Sequence, residues 1–116
     1  MKKLLILPII LLLMTAVESQ AQIFNTSLTL TVRDDLGNTV EEATVQLFAS
    51  EADYLAETNV VVEGVSDNKG VVKFKKLEAK SYYVLVRKGD MDNAGGGEQI
   101  GKLEEGKFNK ATVIIQ

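Results

Sequence analysis

Asp90, Asp92, Asn93 and Glu98 are the residues whose types and spacing most favour a binding site. They fall in Gly89-Asp90-Met91-Asp92-Asn93-Ala94-Gly95-Gly96-Gly97-Glu98, where oxygen donors alternate with other residues beside a flexible glycine run. Hard oxygen ligands at alternating positions suit Ca²⁺. The segment lacks the D-x-[DN]-x-[DN]-G spacing and closing Glu of an EF-hand. The plain alternative is a polar loop between strands. Loops at the end of a rigid scaffold are also where binding residues gather.

Other chemistry is largely excluded by composition. The chain has no histidine and no cysteine. That removes Ser-His-Asp and Cys-His nucleophile pairs, histidine general acid–base work and ordinary zinc sites. Carboxylate pairs remain, but Glu41-Glu42 and Glu104-Glu105 lie in polar stretches where neighbouring acids are solvated charge. No enzyme is expected. Sugar recognition would need exposed rings, and outside the leader these are Phe24, Phe48, Phe74, Phe108, Tyr54, Tyr82 and Tyr83, with no Trp. Phe74 and Tyr82 fit a core. Phe48 and Tyr83 break the inward rows of their strands.

The elements that position these residues read as strands. Ser27 to Arg33 alternates with period two, placing Leu28, Leu30 and Val32 on one face. Ala43, Val45, Leu47 and Ala49 form the next inward row, and Ser50 to Leu55 reads as a loop or short helical turn. Glu57 to Val65 contains Val60-Val61-Val62, which favours strand over helix. Val72 and Phe74 point inward while Lys73 and Lys75 point out. Tyr82 to Arg87 is apolar on both sides, as a central strand would be. Ala111, Val113 and Ile115 alternate in the last run. The turns between are Asp34-Asp35-Leu36-Gly37-Asn38 and Asp67-Asn68-Lys69-Gly70, in which glycine supplies positive φ. Six or seven short strands with no amphipathic helix predict an all-β fold, a small antiparallel sandwich.

At 116 residues the chain has room for one domain. Lys2 and Lys3, the apolar run Leu4 to Val17, and Ser19-Gln20-Ala21 read as a signal peptide cut after Ala21. The apolar run is shorter than the roughly 20 residues of a membrane-spanning helix. The sandwich would then occupy residues 22–116, in the periplasm or secreted. Without cysteine there is no lipoprotein anchor and no disulfide, so the core must hold the domain by itself. Removal of Lys2, Lys3 and Glu18 leaves 11 Lys and Arg against 15 Asp and Glu. An acidic balance argues against nucleic acid. The Lys73, Lys75 and Lys76 group is the wet side of a strand.

The run V-x-D-x-x-G-x-x-V-x-x-A-x-V-x-L from Val32, then D-x-x-G-x-x-x-F from Asp67 and Y-x-V-x-V from Tyr82, resembles carboxypeptidase regulatory-like domains. These belong with collagen-adhesin B-type repeats in the prealbumin-like group. The likeness covers Ser27 to Arg87, with Phe108 to Gln116 as closing strand. It departs at Thr39, where proline is common, and at Ala79-Lys80-Ser81, which lacks a frequent glycine. The resemblance implies an exported, non-catalytic binding or accessory module whose partner is a protein or glycan of the cell envelope. The histidine-dependent hydrolases of the related transthyretin-like branch do not fit this chain. Some adhesin repeats carry a Lys–Asn cross-link. Asn109 is on the last strand here, but residues 27–33 hold no lysine and Tyr82–Gly89 holds no acid. Two further readings stand beside the binding module: a structural subunit pairing with its own copies through strand edges, notably Thr112-Val113-Ile114-Ile115, and a calcium-stabilised domain.

Overall fold

The computed structural model describes residues 26–96 and 98–116. The expected signal sequence lies outside them. The described elements are β1 (Ser27–Asp34), β2 (Thr44–Phe48), α1 (Glu51–Ala56), β3 (Val62–Val65), β4 (Val71–Phe74), β5 (Tyr82–Lys88), β6 (Met91–Asp92), β7 (Gln99–Ile100) and β8 (Phe108–Ile115). They form the expected β-sandwich. One sheet runs β4-β1-β8; the other runs β3-β2-β5, with β6 and β7 sharing the far edge of β5.

One pairing departs from the antiparallel expectation. β1 and β8 lie parallel, in register from Ser27 opposite Phe108 to Asp34 opposite Ile115. Parallel neighbours need a long crossover, and here nearly the whole domain supplies it. β1 also pairs antiparallel with β4, so both its edges are bonded. The inward rows are those the alternation predicts. Leu28, Leu30 and Val32 meet Val45, Leu47, Val84 and Val86 across the sandwich, all with no exposed surface. Phe74, Tyr82, Val113 and Ile115 close the same core. Two expectations are corrected. Ala49 is exposed, because the chain leaves β2 after Phe48 and turns into α1. Val60 and Val61 are also exposed and precede β3, which begins only at Val62. Their branched side chains favour extended backbone, but among the described residues the only tie to β2 before the ladder is Val61 N donating to Leu47 O at 2.8 Å, and the paired register starts with Val62 opposite Leu47.

The two Asp-x-x-Gly turns are built alike. Asp34 Oδ1 accepts from Leu36 N at 3.0 Å and from Asn38 N at 2.9 Å. Asp67 Oδ1 accepts from Lys69 N at 2.9 Å and from Val71 N at 3.0 Å. In each, the glycine N–H also donates to the aspartate carbonyl. Aspartate thus satisfies amides that the turn takes out of the ladder. The turns then meet over β1. Val32 N donates to Gly70 O at 2.8 Å, and Val40 N donates to Val32 O at 2.9 Å. Buried Ser66 pins this corner, accepting from Ala43 N at 2.9 Å and donating to Val40 O at 2.7 Å.

Gly70 is therefore constrained twice, and Gly37 once. Gly70 has φ +77°, and a Cβ there would sit 2.9 Å from both Val32 O and Thr39 Cβ. Gly37 has φ +90° and faces open space. Gly37→Ala should cost about 1 kcal/mol in urea denaturation, the backbone penalty alone, and Gly70→Ala more than about 2 kcal/mol. Equal losses would contradict this account of the corner. Acid should act through Asp67, whose carboxyl is held below the usual aspartate value by the Val71 and Lys69 amides. That stabilisation is complete above the ordinary range near pH 4 and is lost as pH falls through the lowered folded value. Asp67→Asn should flatten the dependence of melting temperature on pH below about 4.

Candidate functional site

The loop that carries Asp90, Asp92, Asn93 and Glu98 is tied into the sheet rather than gathered round a centre. Asn93 is buried, at 3% exposure. Its Oδ1 accepts from Val86 N and its Nδ2 donates to Val84 O, both at 2.9 Å. The gap it fills is a real one. β6 pairs with Arg87 and Lys88, β7 pairs with Tyr82 and Tyr83, and Val84 to Val86 lie between. The carboxamide carries one donor and one acceptor side by side, so it replaces the missing strand residue. Glu98 continues the repair by accepting from Val84 N through its carbonyl at 2.6 Å.

The acids of the loop point elsewhere. Asp92 is half-buried, and its Oδ1 accepts from Ala94 N at 3.1 Å. Asp90 is exposed. Among the described residues, no three Asp or Glu side chains come together as a group able to hold a metal ion. Asp92 and Glu98 both act instead on Tyr54, whose hydroxyl is pushed above the usual tyrosine value by burial first and then by these two charges.

Tyr54 belongs to a second apolar layer on the outer face of β2 and β5. α1 starts at Ser50, whose hydroxyl caps it by accepting from Asp53 N at 3.2 Å. The helix ends at Glu57 with φ 52°. Between these points it places Tyr54 edge-on to Phe48, with ring centroids 6.0 Å apart, and 6.0 Å from Tyr83. Phe48 is wholly buried and Leu85 nearly so. This resolves the two residues that broke their inward rows: they face outward and are roofed by the helix. Arg87 closes one side with a two-pronged pair to Glu57, at 2.5 and 2.9 Å. The pair lowers the Glu57 pKa and raises that of Arg87. Nothing in the spacing of Glu57 and Arg87 announces it, because it depends on α1 folding back over β5.

The other sheet leaves one long edge open. Lys107 O accepts from Ser27 N, and Gln116 exchanges both backbone bonds with Asp92 at 3.0 and 3.2 Å. Odd-numbered residues of β8 therefore face β1, and even-numbered ones face away. Among the described residues, no hydrogen bond reaches the backbone N–H or C=O of Lys110, Thr112 or Ile114 on that free side. Large apolar side chains accompany the bare edge: Phe108 is 86% exposed and Ile114 45%. Beside the edge, between the sheets, lies a groove of about 360 Å³ floored by Leu28, Ile100, Leu103, Ala111 and Val113. The sequence marked Thr112 to Ile115 as an apolar strand. It gave no sign that Phe108 would face water, since an alternating row names two faces without saying which is buried.

Asn109 lies beside Leu28 of β1 in the parallel register. Its Nδ2 donates to Ser27 O at 3.0 Å and to Glu104 O at 3.1 Å, and its Oδ1 accepts from Glu104 N at 2.8 Å. The side chain fastens the loop before β8 to the end of β1. The framework role of Asn93 is directly testable. Asn93→Ala strands the Val86 amide and Val84 carbonyl, and should lower the unfolding free energy by about 2–6 kcal/mol at one to three per orphaned group. A loss below about 0.5 kcal/mol would show that water replaces the carboxamide without cost.

No protein-family model matches the chain, and no curated protein matches it either. Solved structures match in shape. The backbone protein of group B streptococcus pilus 2b aligns with a TM-score of 0.58 at 12% identity, over 78% of this chain and 40% of that one. BcpA, the major pilin subunit of Bacillus cereus, gives 0.55 at 20% identity, over 78% of this chain and 29% of BcpA. The Bacillus anthracis TIE protein gives 0.54 at 20%, over 78% of this chain and 16% of that one. The chain thus spans well under half the length of the solved proteins it matches. The likeness is one of fold alone: the chain shares a two-sheet β-sandwich with part of each of these longer proteins.

Proposed function

We propose that this chain is an exported, non-catalytic structural module of the cell surface or envelope that associates with copies of itself through a strand edge. The observation that carries the reading is the bare outer edge of β8, with Phe108 and Ile114 exposed beside it. A long free edge with apolar side chains is a template for pairing, and sandwiches that stay monomeric normally blunt such edges with charge, proline or a covering loop. β8 has only Lys110 on its free stretch. The shape shared with pilus subunits supports the reading, as does the secretory leader read from residues 1–21. Within the fold, the motif spacing favours the carboxypeptidase regulatory-like type.

A second reading, recognition of a protein or glycan, is favoured by the half-buried Tyr54 and Tyr83 rings beside Asp92 and Glu98. One experiment separates the two. Residues 22–116 are measured by sedimentation velocity from roughly 10 µM to 1 mM, the range where a small strand-edge contact should act. Self-association predicts a weight-average mass that climbs with concentration. A strictly monomeric domain over the whole range would contradict it and leave the recognition reading in its place.

A further inference from the structure

Resting on the self-association reading, the residues of β8 also select how two copies meet. A second copy must present outward-facing backbone to outward-facing backbone, so Phe108, Lys110, Thr112 and Ile114 pair only among themselves. In an antiparallel, twofold-related pair the axis then passes through residue 110, 111 or 112. Through Lys110, two ammonium groups stand directly opposite one another, which is destabilising. Through Thr112, Phe108 falls opposite Gln116 of the second copy, whose backbone is already bonded to Asp92. Through Ala111, Phe108 meets Ile114, Lys110 meets Thr112, and Ala111 meets its own counterpart.

The last register uses every free position and sets no like charges directly opposite one another. It also covers the two most exposed apolar side chains of the strand with each other, 86% and 45% exposed in the single chain. On the inner side, the two grooves floored by Leu28, Ile100, Leu103, Ala111 and Val113 come side by side across the axis. We infer that the partner of this surface is β8 of a second copy, paired antiparallel about a twofold axis at Ala111. The two three-stranded sheets join into one continuous sheet of order β4-β1-β8-β8-β1-β4.

Cysteine cross-linking tests the register, and the chain's lack of native cysteine makes single variants clean. Ala111 lies in a non-hydrogen-bonded pair, where opposite Cβ atoms approach to about 4.5–5.5 Å, within reach of a disulfide. Ala111→Cys should therefore form a covalent dimer under mild oxidation at least ten times faster than Lys110→Cys, whose counterpart is displaced along the strand. Thr112→Pro removes an outward N–H without touching the β1–β8 ladder. It should weaken association at least tenfold with unchanged circular dichroism. Should that variant fail to fold, Ile114→Lys, at an exposed position opposite Phe108, is expected to do the same. Association that survives these substitutions, with equal cross-linking at positions 110 and 111, would overturn the register and leave self-association standing. A wild-type chain that never associates would overturn both.

Discussion

The pairing of β1 with β8 is the constraint on which the remaining structure depends. β1 carries Leu28, Leu30 and Val32 with no exposed surface and is bonded along both edges. β8 supplies one of those edges and brings Val113 and Ile115 into the core. Segments some 80 residues apart in the chain must meet before that sheet exists, as the Ser27–Phe108 register shows. Such non-local pairing carries a large loop-closure cost, offset only when the core forms as well. The corner where Val32 bonds both Gly70 and Val40 fixes the other end of β1 and aligns the two turns. β1 is thus held at its flanks and at its tip.

This arrangement has a consequence for function. A strand taken as the parallel partner of β1 is left at the edge of its sheet. Among the described residues β8 has a neighbouring strand on one side only, and on the other just Asp92 of the second sheet, which bonds Gln116. The second sheet shows the opposite treatment. Its central strand β5 is covered along the far edge by two short strands, by Asn93 in the gap and by the Glu98 carbonyl. Its outer face is roofed by α1 and the Phe48–Tyr54–Tyr83 cluster. The β5 edge is covered and the β8 edge is open, which makes β8, rather than the glycine-rich loop, the surface available to a partner.

Much of the fold was legible because it rests on local rules. Period-two alternation placed Leu28, Leu30, Val32, Val45, Leu47, Val72 and Phe74 inside, as observed. The Asp-x-x-Gly spacing marked both turns, since the aspartate side chain and the glycine φ act within five residues of chain. What was hidden is what depends on distant neighbours. Parallel and antiparallel partners of β1 leave the same alternation. Phe48 and Tyr83 could be placed only once α1 was seen to fold over them. Asn93 read as a ligand because an amide suits a metal loop and a backbone gap equally well. The structure shows its donor and acceptor both committed to β5, and the sequence shows no gap to fill.

The most direct test of the open edge is amide hydrogen exchange along β8, residue by residue, at two protein concentrations. In dilute solution the amides of Asn109, Ala111 and Val113 should be protected by β1, and those of Lys110, Thr112 and Ile114 should exchange freely. At high concentration the second set should become protected while the first is unchanged. Free exchange at Lys110, Thr112 and Ile114 at every concentration would contradict self-association through this strand.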